Sequence, residues 1–392
     1  MLLPNSLLPA LAENWQIGGF GLYIHWPFCQ AKCPYCDFNS HVSASISQPD
    51  WQAAYLSELD RVAAETGDRV LGSIFFGGGT PSLMDPGVVD AILTRVRKSW
   101  RVTNSLEITL EANPTSVEAG RFEGYRQAGV NRVSMGIQAL NDPDLKRLGR
   151  LHTVSEAMQA FEIARKKFDR ISFDLIYARQ DQSLADWTDE LTRALDLAAD
   201  HLSLYQLTIE EGTAFGQRFA AGGLKGLPDD DLSADMFLTT QELTDAAGLS
   251  AYETSNHARE GAASLHNLVY WRGGDYLGVG PGAHGRITVQ NQRFATDTLL
   301  SPQAWLDQVH TTGSGEHSRQ VVPNDEQAIE YLMMGLRLAE GIDLNRYSDL
   351  AEKPLDTNDL VENGFLTRDG ERLKATRQGR PVLNAILREL LT

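Results

Sequence analysis

The strongest constraint on the fold of this chain is a repeated alternation. Six short β-branched or aromatic runs are separated by amphipathic stretches: LYIHW (22–26), SIFF (73–76), LEITLEA (106–112), RVSMGIQ (132–138), RISFDLIYA (170–178) and HLSLYQLT (201–208). A short apolar run bounded by turn residues reads as a strand, and apolar residues spaced three and four apart read as one face of a helix. Trp51 to Glu65 puts Tyr55, Leu56, Leu59, Val62 and Ala63 on such a face, and Gly87 to Trp100 is another. Thr153-Val-Ser-Glu156 is a capping box that opens a helix running to Phe168. Strand then helix, repeated, builds parallel βαβ units. Six units predict an α/β fold, a partial (βα)6 TIM-like barrel rather than a closed eight-stranded one.

Beyond about residue 210 the rhythm weakens. Asp229 to Ala247 reads as a helix and SAYETSN (250–256) as a further strand. The polar stretch TTGSGEHSRQ (311–320) reads as a linker. After it, EQAIEYLMMGLRL (326–338) opens a small unit. There Asp369-Gly370 lies between two strand-like runs, a strong hairpin signal, and a last helix spans 381–391. Helices plus a hairpin predict a winged-helix-like layout. The expected organisation is therefore a lead-in over 1–20, a barrel domain with a β-rich extension over 21–310, and a small helical/winged C-terminal domain over 324–392.

A net charge of −17 argues against nucleic acid as the main partner, because such binding needs a basic face. No apolar run approaches the roughly 20 residues of a membrane-spanning helix, so an integral membrane protein is not expected. The first fifteen residues carry no Lys or Arg, unlike a signal or transit peptide. The expectation is a soluble, cytoplasmic protein. A homodimer is left open.

The chain has 3 cysteines, Cys29, Cys33 and Cys36, directly after the first strand-like run and spaced C-x3-C-x2-C. An odd number in one short window makes a poor disulfide framework and a good soft-metal site. Three thiolates can hold three irons of a cubane and leave the fourth open to a small chelating ligand. The alternatives are buried structural cysteines, or a zinc site completed by His25 or His41.

Functional residues of βα barrels collect at the C-terminal ends of strands. The second run ends in Gly77-Gly78-Gly79-Thr80-Pro81, the third at Glu111-Ala-Asn113, and the fourth at Gln138, with Arg150 soon after. The fifth carries Asp174 and Tyr177, and the sixth Tyr205 and Gln206. Singly, each has a bland reading as turn, cap or solvated acid. Their common placement at one rim is the signal.

C-x3-C-x2-C after the first strand of such a barrel resembles the radical S-adenosylmethionine (SAM) superfamily. Tyr23 through Cys36, GGGTPS, EANP, SMGIQ, LGRLH (148–152) and FDLIYA together resemble its coproporphyrinogen III oxidase-like group. The resemblance implies a [4Fe–4S] cluster on Cys29, Cys33 and Cys36, with SAM chelating the open iron. It also implies SAM contacts from Tyr23, Tyr35, Gly78, Gly79, Thr80, Glu111, Gln138, Arg150 and Asp174.

That group has two branches. One is the oxygen-independent coproporphyrinogen III dehydrogenase of heme biosynthesis, which usually carries a fourth cysteine two residues after the third. Here that position is Phe38. The other is the HemW-like heme chaperone, which binds heme and delivers it to an acceptor protein. His266-Asn267-Leu-Val-Tyr270-Trp271 resembles the H-N-x-x-Y-W motif of that branch. The resemblance therefore implies heme as a ligand, heme-donating or heme-accepting proteins as partners, and tentative heme contacts from His266, Asn267, Tyr270 and Trp271. From the residues alone, a packed histidine beside core aromatics is the favoured reading.

Overall fold

The computed structural model describes residues 13–391 apart from 44 and 198. The expected lead-in falls mostly outside this range. Its described end is a short helix, Asn14–Gly18, that leads directly into the first strand.

All six expected strands are present: Phe20–Trp26, Val70–Gly78, Arg101–Ala112, Arg132–Gln138, Arg170–Tyr177 and His201–Gln206. They pair side by side, in parallel and in chain order. Each is followed by a helix on the outer face, beginning with Gln48–Thr66 and Pro86–Ser99. The capping box forms as expected: Thr153 Oγ1 accepts from the Glu156 amide and Glu156 accepts from the Thr153 amide. The helix-covered side of each strand is apolar, while the barrel-facing side carries polar residues such as Thr109, Ser134 and Ser172, so runs such as LEITLEA and RVSMGIQ alternate. Leu22, Ile24 and Trp26 are all fully buried.

The sheet extends past six strands. Asp275–Val279 adds in parallel to the free side of the first strand, and His284–Val289, Gln292–Thr298 and Glu316–Val321 follow antiparallel. At the other end Asn256–Ala258 and Ser250–Ala251 complete a 12-stranded sheet whose two edge strands do not meet. The barrel is thus partial. The expected strand over 250–256 is two short strands with a turn between them. The stretch 311–320, expected as a linker, is the end of helix Pro302–Thr312 followed by the edge strand Glu316–Val321. Arg319 anchors that strand by pairing with Glu65 at 2.6 Å and Glu316 at 2.8 Å.

The C-terminal residues build a second apolar core around Tyr331, Leu332, Ile342, Leu366, Leu373 and Ile386. Leu366–Asp369 and Arg372–Ala375 form the Asp-Gly hairpin, and Ile342–Asp343 makes it a three-stranded antiparallel sheet. With helices Asn324–Gly335, Leu344–Leu350 and Leu383–Leu390, this is the winged-helix-like layout.

Candidate functional site

The carboxyl ends of the parallel strands surround a cavity of about 430 Å³. Cys29, Cys33 and Cys36 all border it and none is in a disulfide. Their loop is shaped from both sides. A two-residue parallel bridge ties Phe28–Cys29 to His41–Val42, and the Cys36 amide closes a turn onto the Cys33 carbonyl at 3.2 Å. Gly78 lies at φ 107°, and a Cβ there would come within 2.6 Å of the His25 ring. That glycine lets the second strand pass close behind the loop.

The cysteines' surroundings suit a cluster. Thr80 Oγ1 donates to Cys29 Sγ at 3.4 Å, and Arg150 Nη1 to Cys33 Sγ at 3.4 Å. Burial pushes the Cys29 thiol up, opposed by the Thr80 hydrogen bond and assisted by the neighbouring thiols, so the bare group resists ionising. Cationic iron reverses that, because a coordinating thiol is deprotonated by the metal. Among the described residues, no three His, Cys, Asp or Glu side chains are placed to hold a single metal ion. A cubane asks for a wider set, since each of its thiolates takes a different iron. The zinc alternative loses a ligand, because the Tyr23 hydroxyl sits 3.2 Å from His25 Nδ1 and the Asn39 carbonyl 2.9 Å from its Nε2.

Eight of the nine expected SAM contacts border this cavity: Tyr35, Gly78, Gly79, Thr80, Glu111, Gln138, Arg150 and Asp174. Arg150 bridges the cluster loop and the strand ends. Its Nη2 donates to Asn113 Oδ1 at 2.6 Å and to the Gly136 carbonyl at 2.9 Å, while its buried Nε has no partner. A guanidinium edge so placed suits a carboxylate beside the cysteines. Gln138 ends its strand at φ 75° where the pairing register shifts, the kind of backbone irregularity that re-aims a side chain at a site.

Glu111 and Asp174 face each other across the cavity floor. Burial, then the Asp174 charge, pushes the Glu111 carboxyl up to about 8. Burial raises Asp174 to about 6, opposed by its bonds to Ser203 and Ser134 and by the Arg132 and Arg150 charges. Between pH 6 and 8 the pair is therefore one carboxylate and one carboxylic acid, able both to accept and to donate to ligand hydroxyls.

Tyr23 is the exception. It points into the barrel below the cavity, in a ring cluster with Phe75 and His266 at separations of 6.2 Å each. Tyr177 also lies away from the site and stacks on Trp187. Asn113, which donates to Thr80 Oγ1 at 3.2 Å while accepting from Arg150, ties two of the expected contacts together. Its position at a strand end was the available signal. Arg132 had none. It is 2% exposed inside the barrel and connects through Ser172 and Ser134 Oγ to Asp174.

The His266–Trp271 segment sits at the opposite end of the strands. It forms the helix Leu265–Trp271, whose amino end is capped by Ser264 and held by Glu107. The helix closes the amino-terminal mouth of the barrel beside Gly21 and Ser73. His266 is 1% exposed, and burial, then the Arg132 charge, pulls its imidazole down to about 3. Asn267 donates to the Tyr252 hydroxyl at 3.4 Å. Trp271 is half-buried at the helix end. The structure therefore separates the expected heme residues from the cysteines by the length of the barrel.

Comparison with known proteins agrees with this arrangement. The model of the radical SAM superfamily matches residues 23–192, and that of the HemN C-terminal domain matches 322–382. The chain is 38% identical to heme chaperone HemW of Escherichia coli over 93% of its own length and 96% of the relative's. It is 37% identical to the cattle protein called radical S-adenosyl methionine domain-containing protein 1, mitochondrial, over 95% of its own length and 87% of the relative's. The coproporphyrinogen III oxidase structure from E. coli, HemN, superposes with a TM-score of 0.78 at 20% identity, covering 94% of this chain and 89% of that one. That likeness concerns the fold alone. The chain belongs to the radical SAM superfamily, in the coproporphyrinogen III oxidase-like branch that holds the HemW heme chaperones.

Proposed function

We propose that this chain is a heme chaperone: it binds heme, carries a [4Fe–4S] cluster with SAM, and passes the heme to an acceptor protein. The observation that carries this reading is identity to HemW along nearly the whole chain, the C-terminal domain included. Phe38 supports it. This residue is 57% exposed at the cavity rim, where the dehydrogenase branch would place another thiol.

In this reading Cys29, Cys33 and Cys36 hold the cluster, and Arg150, with Asn113 behind it, orients the carboxylate of SAM. Glu111 and Asp174 receive the ribose hydroxyls, and the glycines at 78 and 79 allow close backbone approach. When bound, the cluster and SAM together supply one-electron chemistry. Cysteines kept out of disulfides for a cluster go with a reducing compartment, read here as the cytoplasm. Among the described residues no helix is long and apolar enough to cross a membrane.

The test is titration of ferric heme into the anaerobically purified, cluster-loaded chain, followed by mixing with a heme-free b-type apoprotein. A saturable Soret shift near one equivalent, then transfer of the band to the acceptor, is expected. No stoichiometric shift overturns the reading. So does turnover of coproporphyrinogen III to protoporphyrinogen IX when SAM and reductant are supplied.

A further inference from the structure

A second cavity, of about 180 Å³, lies at the seam between the barrel and the C-terminal unit. Its inner wall is Tyr270 and Tyr276, in edge-to-face contact at 4.4 Å, and its outer wall is helix Asn324–Gly335 with Tyr331, Met333 and Met334. Three guanidinium groups border it: Arg286, Arg293 and Arg346.

The charges there do not balance. Arg286 pairs with Glu330 at 2.8 Å. Arg293 shares the buried Asp275, at 3.5 Å, with Arg69, which holds it more closely at 2.8 Å. Arg346 has no carboxylate partner among the described residues. It stacks on Tyr331 at 4.4 Å and donates to the carbonyls of Arg272 and Gly273 and to Asn14 Oδ1. With Arg69 and Asp275 behind the cavity wall included, four guanidiniums are set against two carboxylates. Carbonyl oxygens satisfy the donors without neutralising the charge, and in a half-buried setting that surplus is strongly felt. Arg293 and Arg346 are both held below the usual guanidinium range, first by burial, with Arg286 acting on the former and Arg293 on the latter.

A surplus of two positive charges beside flat aromatic walls and thioether groups suits a ligand with two carboxylates on an apolar, planar body. We infer that this seam receives the two-propionate edge of a tetrapyrrole, with Arg346 and Arg286 facing the carboxylates and Tyr270 and Tyr276 beside the ring. The cavity encloses only that edge. Met333, 39% exposed, extends the apolar surface outward for the rest of the ring. This inference rests on the heme-carrier reading and gives it a location. It also gives Tyr270 a place in that reading: one side borders the cavity while its hydroxyl reaches inward to His266 at 2.6 Å.

The experiment compares ferric heme with its propionate dimethyl ester, each titrated by Soret difference into the cluster-loaded wild type, Arg346→Gln and Glu330→Gln, with thermal melts as a folding control. Esterification is expected to weaken wild-type binding about tenfold or more, and that factor should shrink towards one in Arg346→Gln. Glu330→Gln, which removes a negative charge from the cavity wall, is expected to tighten heme but not the ester. It also keeps the test valid where loss of Arg346 weakens the seam. An undiminished ester penalty in Arg346→Gln, with Glu330→Gln unchanged, places the propionates elsewhere and overturns the location while leaving the heme-carrier reading standing. Displacement of heme by millimolar inorganic phosphate, with the ester bound as well as heme, marks a general anion site and also overturns it. Failure of the wild type to bind heme at all removes both.

Discussion

The His266 ring and the Tyr270 hydroxyl are joined by a 2.6 Å hydrogen bond, and the other ring nitrogen of His266 meets Ser73 Oγ at 3.0 Å. With the imidazole neutral, one contact uses its N–H and the other its lone pair. No lone pair is left for iron in this conformation. The ring also stacks on Phe75 at 5.2 Å and blocks the amino-terminal mouth of the barrel.

His266 is therefore expected to act through the fold and through Tyr270. His266→Ala removes the stacking and leaves a buried hydroxyl without its partner, which costs about 2–4 kcal/mol. Urea unfolding measures that loss, and weakened heme binding should accompany it. His266→Gln that keeps full stability yet loses the heme Soret shift would instead identify the ring as an iron ligand.

Arg150 touches both halves of the candidate SAM site, with Cys33 on one side and Asn113 and Gly136 on the other. Lysine keeps the charge but loses the planar fork that makes these contacts together. Arg150→Lys is expected to weaken SAM binding about tenfold or more in equilibrium dialysis, with iron and sulfide content unchanged. Equal affinity for SAM would remove Arg150 from the contact set.

Much of this arrangement was legible in the sequence, for a physical reason. The helix-covered side of each strand must be apolar, a signal that survives the polar residues on the barrel-facing side, and the six were found within a few residues of their ends. The strand Glu316–Val321 carries the opposite signature. It is a half-exposed edge written as EHSRQV and held by Arg319 ion pairs with distant Glu65, so its residues look like those of a linker. The strand Asp275–Val279 was hidden by the glycines around it. At the site, strand-end position pointed to Glu111, Asn113 and Gln138, which border the cavity, and also to Tyr177, which does not. Tyr23 came from the resemblance alone, and its side chain lies in the barrel interior. Arg132 was illegible because a charged residue in a strand reads as exposed, whereas this one is enclosed among Thr109, Ser172 and the two acids above it.

The two acids give the site a pH signature. Glu111, raised to about 8 by burial and by Asp174, holds its proton at neutral pH in the ligand-free protein. Ribose hydroxyls that donate to this group favour its carboxylate, so ligand binding should release a proton. The sign follows directly: affinity for SAM rises as pH increases through about 8 and levels off above it. Asp174, at about 6, is already ionised over that range. Calorimetry of SAM binding between pH 6.5 and 9.5 should show the rise in wild type and a shallower, weaker one in Glu111→Gln, where the α-amino group of SAM still titrates. A slope of the same size in Glu111→Gln would assign the proton to another group.

Gly78 couples the cysteine loop to the second strand. A Cβ added there meets the His25 ring at 2.6 Å, and a φ of 107° is strained for any L side chain. The strain costs on the order of 1–3 kcal/mol, and relieving the clash requires the His25 ring to leave its bond to the Asn39 carbonyl. That bond anchors the return of the cysteine loop, which the Asn39 amide also ties to the Pro281 and Leu300 carbonyls. Gly78→Ala should therefore lower the melting temperature and also reduce cluster retention, read as iron per chain after gel filtration. A surface-loop glycine such as Gly212, with open space around its Cβ position, is the matched control for backbone strain at positive φ. Gly212→Ala is expected to cost stability alone. If Gly78→Ala loses stability to the same extent as the control and keeps a full complement of iron, the coupling between this glycine and the cysteine loop is absent.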